Sequence, residues 1–207
     1  MKLVSPVFKQ TYTNYLSRIA KMDLQLAAER IGVRIECSTI KIPLFGQLYT
    51  IYENSISGPG GERPSFDICI ILCKYILLCP ESLSGQKGWT AFRDFRDAGP
   101  LTTYFSNDVE RAISGHFSGK INELQKACRL HEGLKPDMEV SYDLAMKFDL
   151  LPRIPLLLLF NDEDGAFPPH CSVLFEKRAD TFLDAECLAI SGRLLFEKLT
   201  SQDPAFL

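Results

Sequence analysis

Val140-Ser141-Tyr142-Asp143-Leu144-Ala145-Met146-Lys147-Phe148 decides the fold class. Val140, Tyr142, Leu144, Met146 and Phe148 alternate with Ser141, Asp143, Ala145 and Lys147, and Ala145 is the only non-polar residue of the second set. Successive side chains of a strand point to opposite faces, so a period of two with one apolar face marks a strand lying on a core. Residues 155–160 are continuously apolar, as in a central strand buried on both faces, and residues 171–176 supply a third strand. The connections at 149–153 and 161–169 are short, which favours an antiparallel meander over parallel pairing through crossovers.

Upstream, the pattern is mostly helical. In residues 6–31, Tyr15, Ile19, Met22, Leu26 and Ala27 recur mainly at steps of three and four, and Gly32 stands where a helix C′ glycine belongs. Val33, Ile35 and Cys37 then alternate with Arg34, Glu36 and Ser38. This predicts a strand that joins a second one at 47–53 through Leu44-Phe45-Gly46, forming an N-terminal hairpin. Residues 54–65, with Gly58, Pro59, Gly60, Gly61 and Pro64, read as a turn-rich loop.

A buried helix is expected over 66–79, stopped by Pro80. Leu101, Tyr104, Phe105, Ala112 and Ile113 mark another, and 118–130 a further one ending near Gly133. Thr181 with Asp184 has capping-box spacing and opens a last helix, with Leu183, Cys187, Ile190 and Leu194 inward. The order α-ββ-α-αα-βββ-α predicts an α+β fold: an antiparallel sheet, made of the C-terminal meander and the N-terminal hairpin, packed with helices. The expectation is a single domain over 1–207, with a helical lead-in at 1–31.

Composition narrows the function classes. The chain has 207 residues, 46% of them hydrophobic and 24% charged, with net charge −3 and a pI near 5.7. Such a balance provides no basic field for nucleic acid. No apolar run reaches the roughly 18 residues of a membrane span. The start, Met1-Lys2-Leu3-Val4-Ser5-Pro6, lacks the apolar region of a secretory signal. A cytoplasmic location is expected, and the seven cysteines without a spacing framework fit a reducing compartment.

Chemical motifs are sparse. Cys69, Cys73 and Cys79 form C-x3-C-x5-C among Ile, Leu and Tyr, a pattern of core cysteines rather than a metal knuckle. His116, His131 and His170 are scattered, with no HExxH. Asn161-Asp162-Glu163-Asp164-Gly165 resembles a calcium loop only superficially, because Ser172 stands at position 12. Gly58-Pro59-Gly60-Gly61 is followed by no GK[ST], and no nucleotide or nucleophile-elbow signature occurs. No metal and no cofactor is implied.

The remaining candidate is Trp89-Thr90-Ala91-Phe92-Arg93-Asp94-Phe95-Arg96-Asp97-Ala98-Gly99-Pro100-Leu101. In one reading Arg93 and Arg96 offer planar forks to a carboxylate or phosphate while Trp89, Phe92 and Phe95 form an aromatic wall. In the other, Arg93 and Arg96 pair with Asp94 and Asp97, and the aromatics anchor the core. Trp89, Arg93, Asp94, Arg96 and Asp97 are the expected ligand-binding residues.

This segment, together with Gly88, resembles the DUF3786 family. So do Leu151-Pro152-Arg153-Ile154-Pro155, Asp162-Glu163-Asp164 with Phe167-Pro168, and Leu174-Phe175 before the closing helix. The blocks occur in the family's order, and the resemblance runs from about residue 20 to the C-terminus. The family has no assigned activity. Its members look typical of anaerobic bacteria and archaea, and some carry an iron–sulfur domain of the CO dehydrogenase/acetyl-CoA synthase type.

No such cysteine cluster is present here, so the resemblance implies that any cluster belongs to an iron–sulfur or corrinoid protein partner. The preferred expectation is a non-catalytic soluble binding module for a small anionic ligand, cofactor or redox partner in anaerobic metabolism. The alternative is an enzyme using Asp94 or Asp97 as base, with His170 or Arg93 beside it.

Overall fold

Asp23 divides the N-terminal helical stretch in two. In the computed structural model, which describes residues 6–36, 39–82 and 87–201, α1 spans Pro6–Ile19 and α2 spans Leu24–Ile31. The single expected helix is interrupted because the Asp23 carboxylate accepts the Leu26 N–H at 3.1 Å and starts a new one. Gly32, at φ +81°, ends α2 as expected, with the N–H groups of Gly32 and Val33 turned back onto the carbonyls of Glu29 and Ala28.

The first sheet is antiparallel in the order β1 (Ile35–Glu36), β2 (Thr39–Leu44), β3 (Gln47–Ile51), β4 (Ile56–Ser57). The hairpin exists, but its first arm is β2, not residues 33–37. Cys37, which belonged to that expected strand, lies outside the described residues. In β2, Ile40, Ile42 and Leu44 are buried between half-buried Thr39, Lys41 and Pro43. Pro43 masked this alternation. It lies beyond the end of β1, where β2 has lost one neighbour and a missing N–H is tolerated. Phe45 and Gly46 both adopt positive φ and close the β2–β3 turn.

The second sheet contains the expected meander, β6 (Leu144–Leu151), β7 (Ile154–Asn161) and β8 (His170–Glu176), all antiparallel. A fourth strand, β5 (Trp89–Ala91), joins the far side of β8, giving the order β5-β8-β7-β6. Leu156 through Phe160 are all buried, as continuous apolarity required. Strand β6 begins at Leu144, so Val140 and Tyr142 precede it, and Tyr142 is exposed.

Helix α3 (Phe66–Leu77) is buried along most of its length and lies against α1, α2 and the final helix α7 (Ala185–Thr200). Between α3 and α7 come α4 (Thr102–Phe105), a π turn (Ser106–Glu110), α5 (Arg111–Phe117) and α6 (Ile121–Leu130). The cap of α7 is Asp184 rather than Thr181. Asp184 accepts the Cys187 N–H at 3.0 Å and an ammonium hydrogen bond from Lys74 at 2.7 Å, whereas the Thr181 hydroxyl donates to the Arg178 carbonyl. Among the described residues no helix is long and apolar enough to cross a membrane.

One buried phenol joins the layers. The Tyr75 hydroxyl, on α3, donates to the Ile31 carbonyl at 2.8 Å and accepts the Arg153 N–H at 3.0 Å. Arg153 itself sends its Nε to the Arg30 carbonyl at 3.3 Å, closing over the end of α2. Tyr75→Phe keeps the ring but orphans a buried donor and a buried acceptor. It should lower unfolding stability by about 1–3 kcal/mol in urea melts, with the native circular-dichroism spectrum retained; an unchanged midpoint would show that these bonds carry no net stability.

Candidate functional site

Residues 89–101 are fixed from one side only. β5 pairs Trp89 with Glu176, Thr90 with Phe175 and Ala91 with Leu174. Two 3-10 turns follow, Phe92–Asp94 and Gly99–Leu101. Phe92, Phe95 and Ala98, at steps of three, all point inward and are buried. Phe92 stacks on Phe105 with centroids 4.3 Å apart, and Phe95 meets Phe175 edge-on at 6.0 Å. The aromatic wall expected for a ligand therefore does not form from Phe92 and Phe95, because the core takes both rings. Trp89, half-buried, remains at the surface margin.

The charged residues take the outward steps. The side chains of Arg93 and Arg96 are 74% and 89% exposed. Arg93 Nε lies 3.9 Å from Asp94 Oδ1, and Arg96 Nε lies 3.7 Å from Asp97 Oδ2. Those separations exceed hydrogen-bond length, and exposed pairs of this kind contribute little to stability. Asp97 holds a left-handed φ of 62°, a conformation that Asp tolerates better than most residues, and this turns the chain toward Ala98. All five expected residues thus share one segment, and none of them lines the cleft beside β6 or the four smaller cavities elsewhere on the chain.

Glu110 is a functional candidate that sequence reasoning missed. It ends the π turn, a kind of helix irregularity that recurs at functional positions. Strand β5 stops opposite Leu174, and the next outward N–H on that edge of β8, from Val173, is accepted by Glu110 Oε1 at 3.1 Å. Burial pushes the Glu110 carboxyl above the ordinary glutamate range, although the Val173 N–H, His170 and Arg93 act in the opposite direction. A contact across 63 residues leaves no periodic signal in the sequence.

The other expected candidates have structural surroundings. Cys69 and Cys73 are fully buried in α3, and burial pushes their thiols to about 11 and about 12, so they behave as unreactive core groups. Asp164 Oδ1 accepts the N–H groups of Ala166 and Phe167, and these bonds hold its carboxyl below the usual range. Gly165 beside it has φ +84°, so the acidic segment is a turn. His116 contacts Phe117 and Phe196, His131 is buried and His170 is exposed. Among the described residues no group of three or more His, Cys, Asp and Glu is placed to hold a metal ion.

A cleft of about 1270 Å³ lies along the outer edge of β6, beside α6 and residues 133–143. Leu134, Met138 and Tyr142 are exposed there, and a single bridge between Leu134 and Lys147 covers part of the strand edge.

Two antiparallel four-stranded sheets with interleaved helices, carrying an exposed arginine segment on a buried aromatic footing, define an α+β protein. Its candidate site is open surface rather than an enclosed chamber. The chain belongs to the DUF3786 family, described as a domain of unknown function, whose profile matches residues 23–198. No curated protein matches the chain, and no solved structure does.

A glutamate whose pKa is raised by folding binds more protons folded than unfolded, so its contribution to stability falls as pH rises through that window. Glu110→Gln should remove this dependence, making the variant progressively more stable relative to the parent from the acidic glutamate range to neutral pH. Glu110→Ala instead orphans the Val173 N–H and should cost about 1–3 kcal/mol. Parallel urea melts at several pH values test both, and a Glu110→Gln difference that is flat with pH would rule out the raised carboxyl.

Proposed function

We propose that this chain is a non-catalytic binding module whose Arg93 and Arg96 meet the carboxylates or phosphates of an acidic partner protein. The supporting observation is the division of labour within residues 89–101. Phe92, Phe95 and Ala98 lock the backbone into the core, while both guanidiniums stand in solvent without a hydrogen-bonded counter-ion among the described residues. A guanidinium fork held this way can take a carboxylate or phosphate bidentately, and its fixed backbone has little entropy left to lose.

An open surface suits a macromolecular partner better than the small ligand or cofactor that also fitted the sequence. An iron–sulfur or corrinoid redox protein in anaerobic metabolism, implied by the family resemblance, is a partner of this kind. The six described cysteines are all free thiols, which supports a reducing, cytoplasmic setting. The enzyme reading would shift from Asp94 and Asp97 to Glu110 with His170 and Arg93. Glu110 is already engaged by Val173, so binding is the better-supported reading.

Charge reversal tests the proposal. Arg93→Glu with Arg96→Glu should change stability by no more than about 0.5 kcal/mol per site, as surface substitutions do. It should also abolish recovery of a salt-sensitive partner from extract of the source cells, relative to the unaltered chain. Equal recovery by both proteins, or recovery insensitive to salt, would refute an arginine-mediated interface.

A further inference from the structure

The glycine-rich loop without a nucleotide signature borders a second, smaller cavity. Tyr52 and Ser55 close the β3–β4 turn through an N–H to carbonyl bond of 2.8 Å, and after β4 the chain folds back with the Gly58 N–H on the Glu62 carbonyl, also at 2.8 Å. The Glu62 carboxylate lies against Gly58 and Gly60, where a Cβ on either residue would collide with it. Gly61 and Arg63 line a cavity of about 410 Å³ in which Glu62 takes no part.

Two side chains meet the cation, the Cys69 thiol of α3 and the Tyr12 ring. The Arg63 guanidinium carbon sits 5.0 Å from the centroid of the Tyr12 ring, contributed by α1, in cation–π contact. The Tyr12 hydroxyl is fixed in turn by accepting the Ile56 N–H of β4 at 2.9 Å. Asn54, Ser55 and Ser57, whose hydroxyl donates to the Gly58 carbonyl at 3.5 Å, also line this cavity, and exposed Tyr52 forms part of its rim. Arg178 and Arg193 are matched with carboxylates and Arg153 with backbone carbonyls. Among the described residues no carboxylate lies within ion-pair distance of Arg63.

We propose that this cavity binds the oxyanion group, phosphate or carboxylate, of a small metabolite, anchored by Arg63 with Asn54, Ser55 and Ser57 as flanking donors. An oriented guanidinium ringed by neutral donors in a concavity is the complement of such a group. The site is separate from the arginine segment at 89–101 and does not depend on its role.

The experiment is a 1H–15N NMR titration of the full chain with inorganic phosphate and, separately, acetate, at constant ionic strength. Saturable shifts of the Ser55, Ser57 and Gly61 amides and the Arg63 Nε–Hε are expected. Response to phosphate alone assigns a phosphate group, and response to both assigns a general oxyanion site. Arg63→Gln should weaken binding about tenfold or more, the loss expected for a charged hydrogen bond. Arg63→Lys, which keeps the charge without the fork, should fall between. Arg93→Ala with Arg96→Ala should leave the response intact. Absence of saturable shifts at these groups, an unchanged response in Arg63→Gln, or its loss in the Arg93/Arg96 variant would each overturn the proposal.

Discussion

The Tyr75 hydroxyl is the constraint on which the relative placement of the layers depends. It satisfies the last carbonyl of α2 and the Arg153 N–H within the β6–β7 turn, so a helix end and a sheet end are referenced to one atom on α3. Arg153 reinforces the arrangement by lying across the α2 terminus, so close to Gly32 that a Cβ there would come within 2.8 Å of its Nε. Gly32 is therefore required twice, for its left-handed φ and for the guanidinium beside it. The first sheet starts three residues later, and its β2–β3 turn touches the second sheet again where the Phe45 N–H meets the Leu150 carbonyl at the β6 irregularity. The block Leu151-Pro152-Arg153-Ile154-Pro155, one of those that carried the family resemblance, thus has a structural reason.

The meander was legible because β6 has one wet face and β7 has none, and both conditions leave marks in the order of apolar residues. Strand β2 carries an equally clean alternation, but Pro43 reads locally as a break and only the absence of a second neighbour makes it permissible. Strand β5 is three residues long, too short to show a period, and its pairing with β8 spans most of the second half of the domain's sequence. Thr181 and Asp184 both have the chemistry of a helix cap. The choice fell to Asp184 because Lys74, 110 residues away, stands beside it. Burial pushes the Asp184 carboxyl up, and Lys74 with the Cys187 N–H more than reverses this, leaving it below the ordinary range.

For the candidate site, residue types were legible and their directions were not. Two Phe and two Arg in one short segment announce anchoring and charge, but which aromatic faces out depends on the step of three that the 3-10 turns impose. Core anchoring of Phe92 and Phe95 and outward presentation of Arg93 and Arg96 turn out to be compatible, because they occupy opposite sides of one ribbon. Glu110 and Arg63 were invisible for a different reason. Neither sits in a motif, and each acquires its meaning from a partner on another element, Val173 for the first and Tyr12 for the second.

The helix that contributes Tyr12 lies before residue 23, where the family match begins. Tyr12, Leu16 and Ile19 close the outer side of α3, so the position needs some apolar cover, but the core asks for shape there and not for this particular ring. The cover over α3 and the cation–π contact to Arg63 thus come from the same short helix. In this chain the aromatic face beneath the Arg63 guanidinium is therefore supplied from outside the segment that the family profile matches.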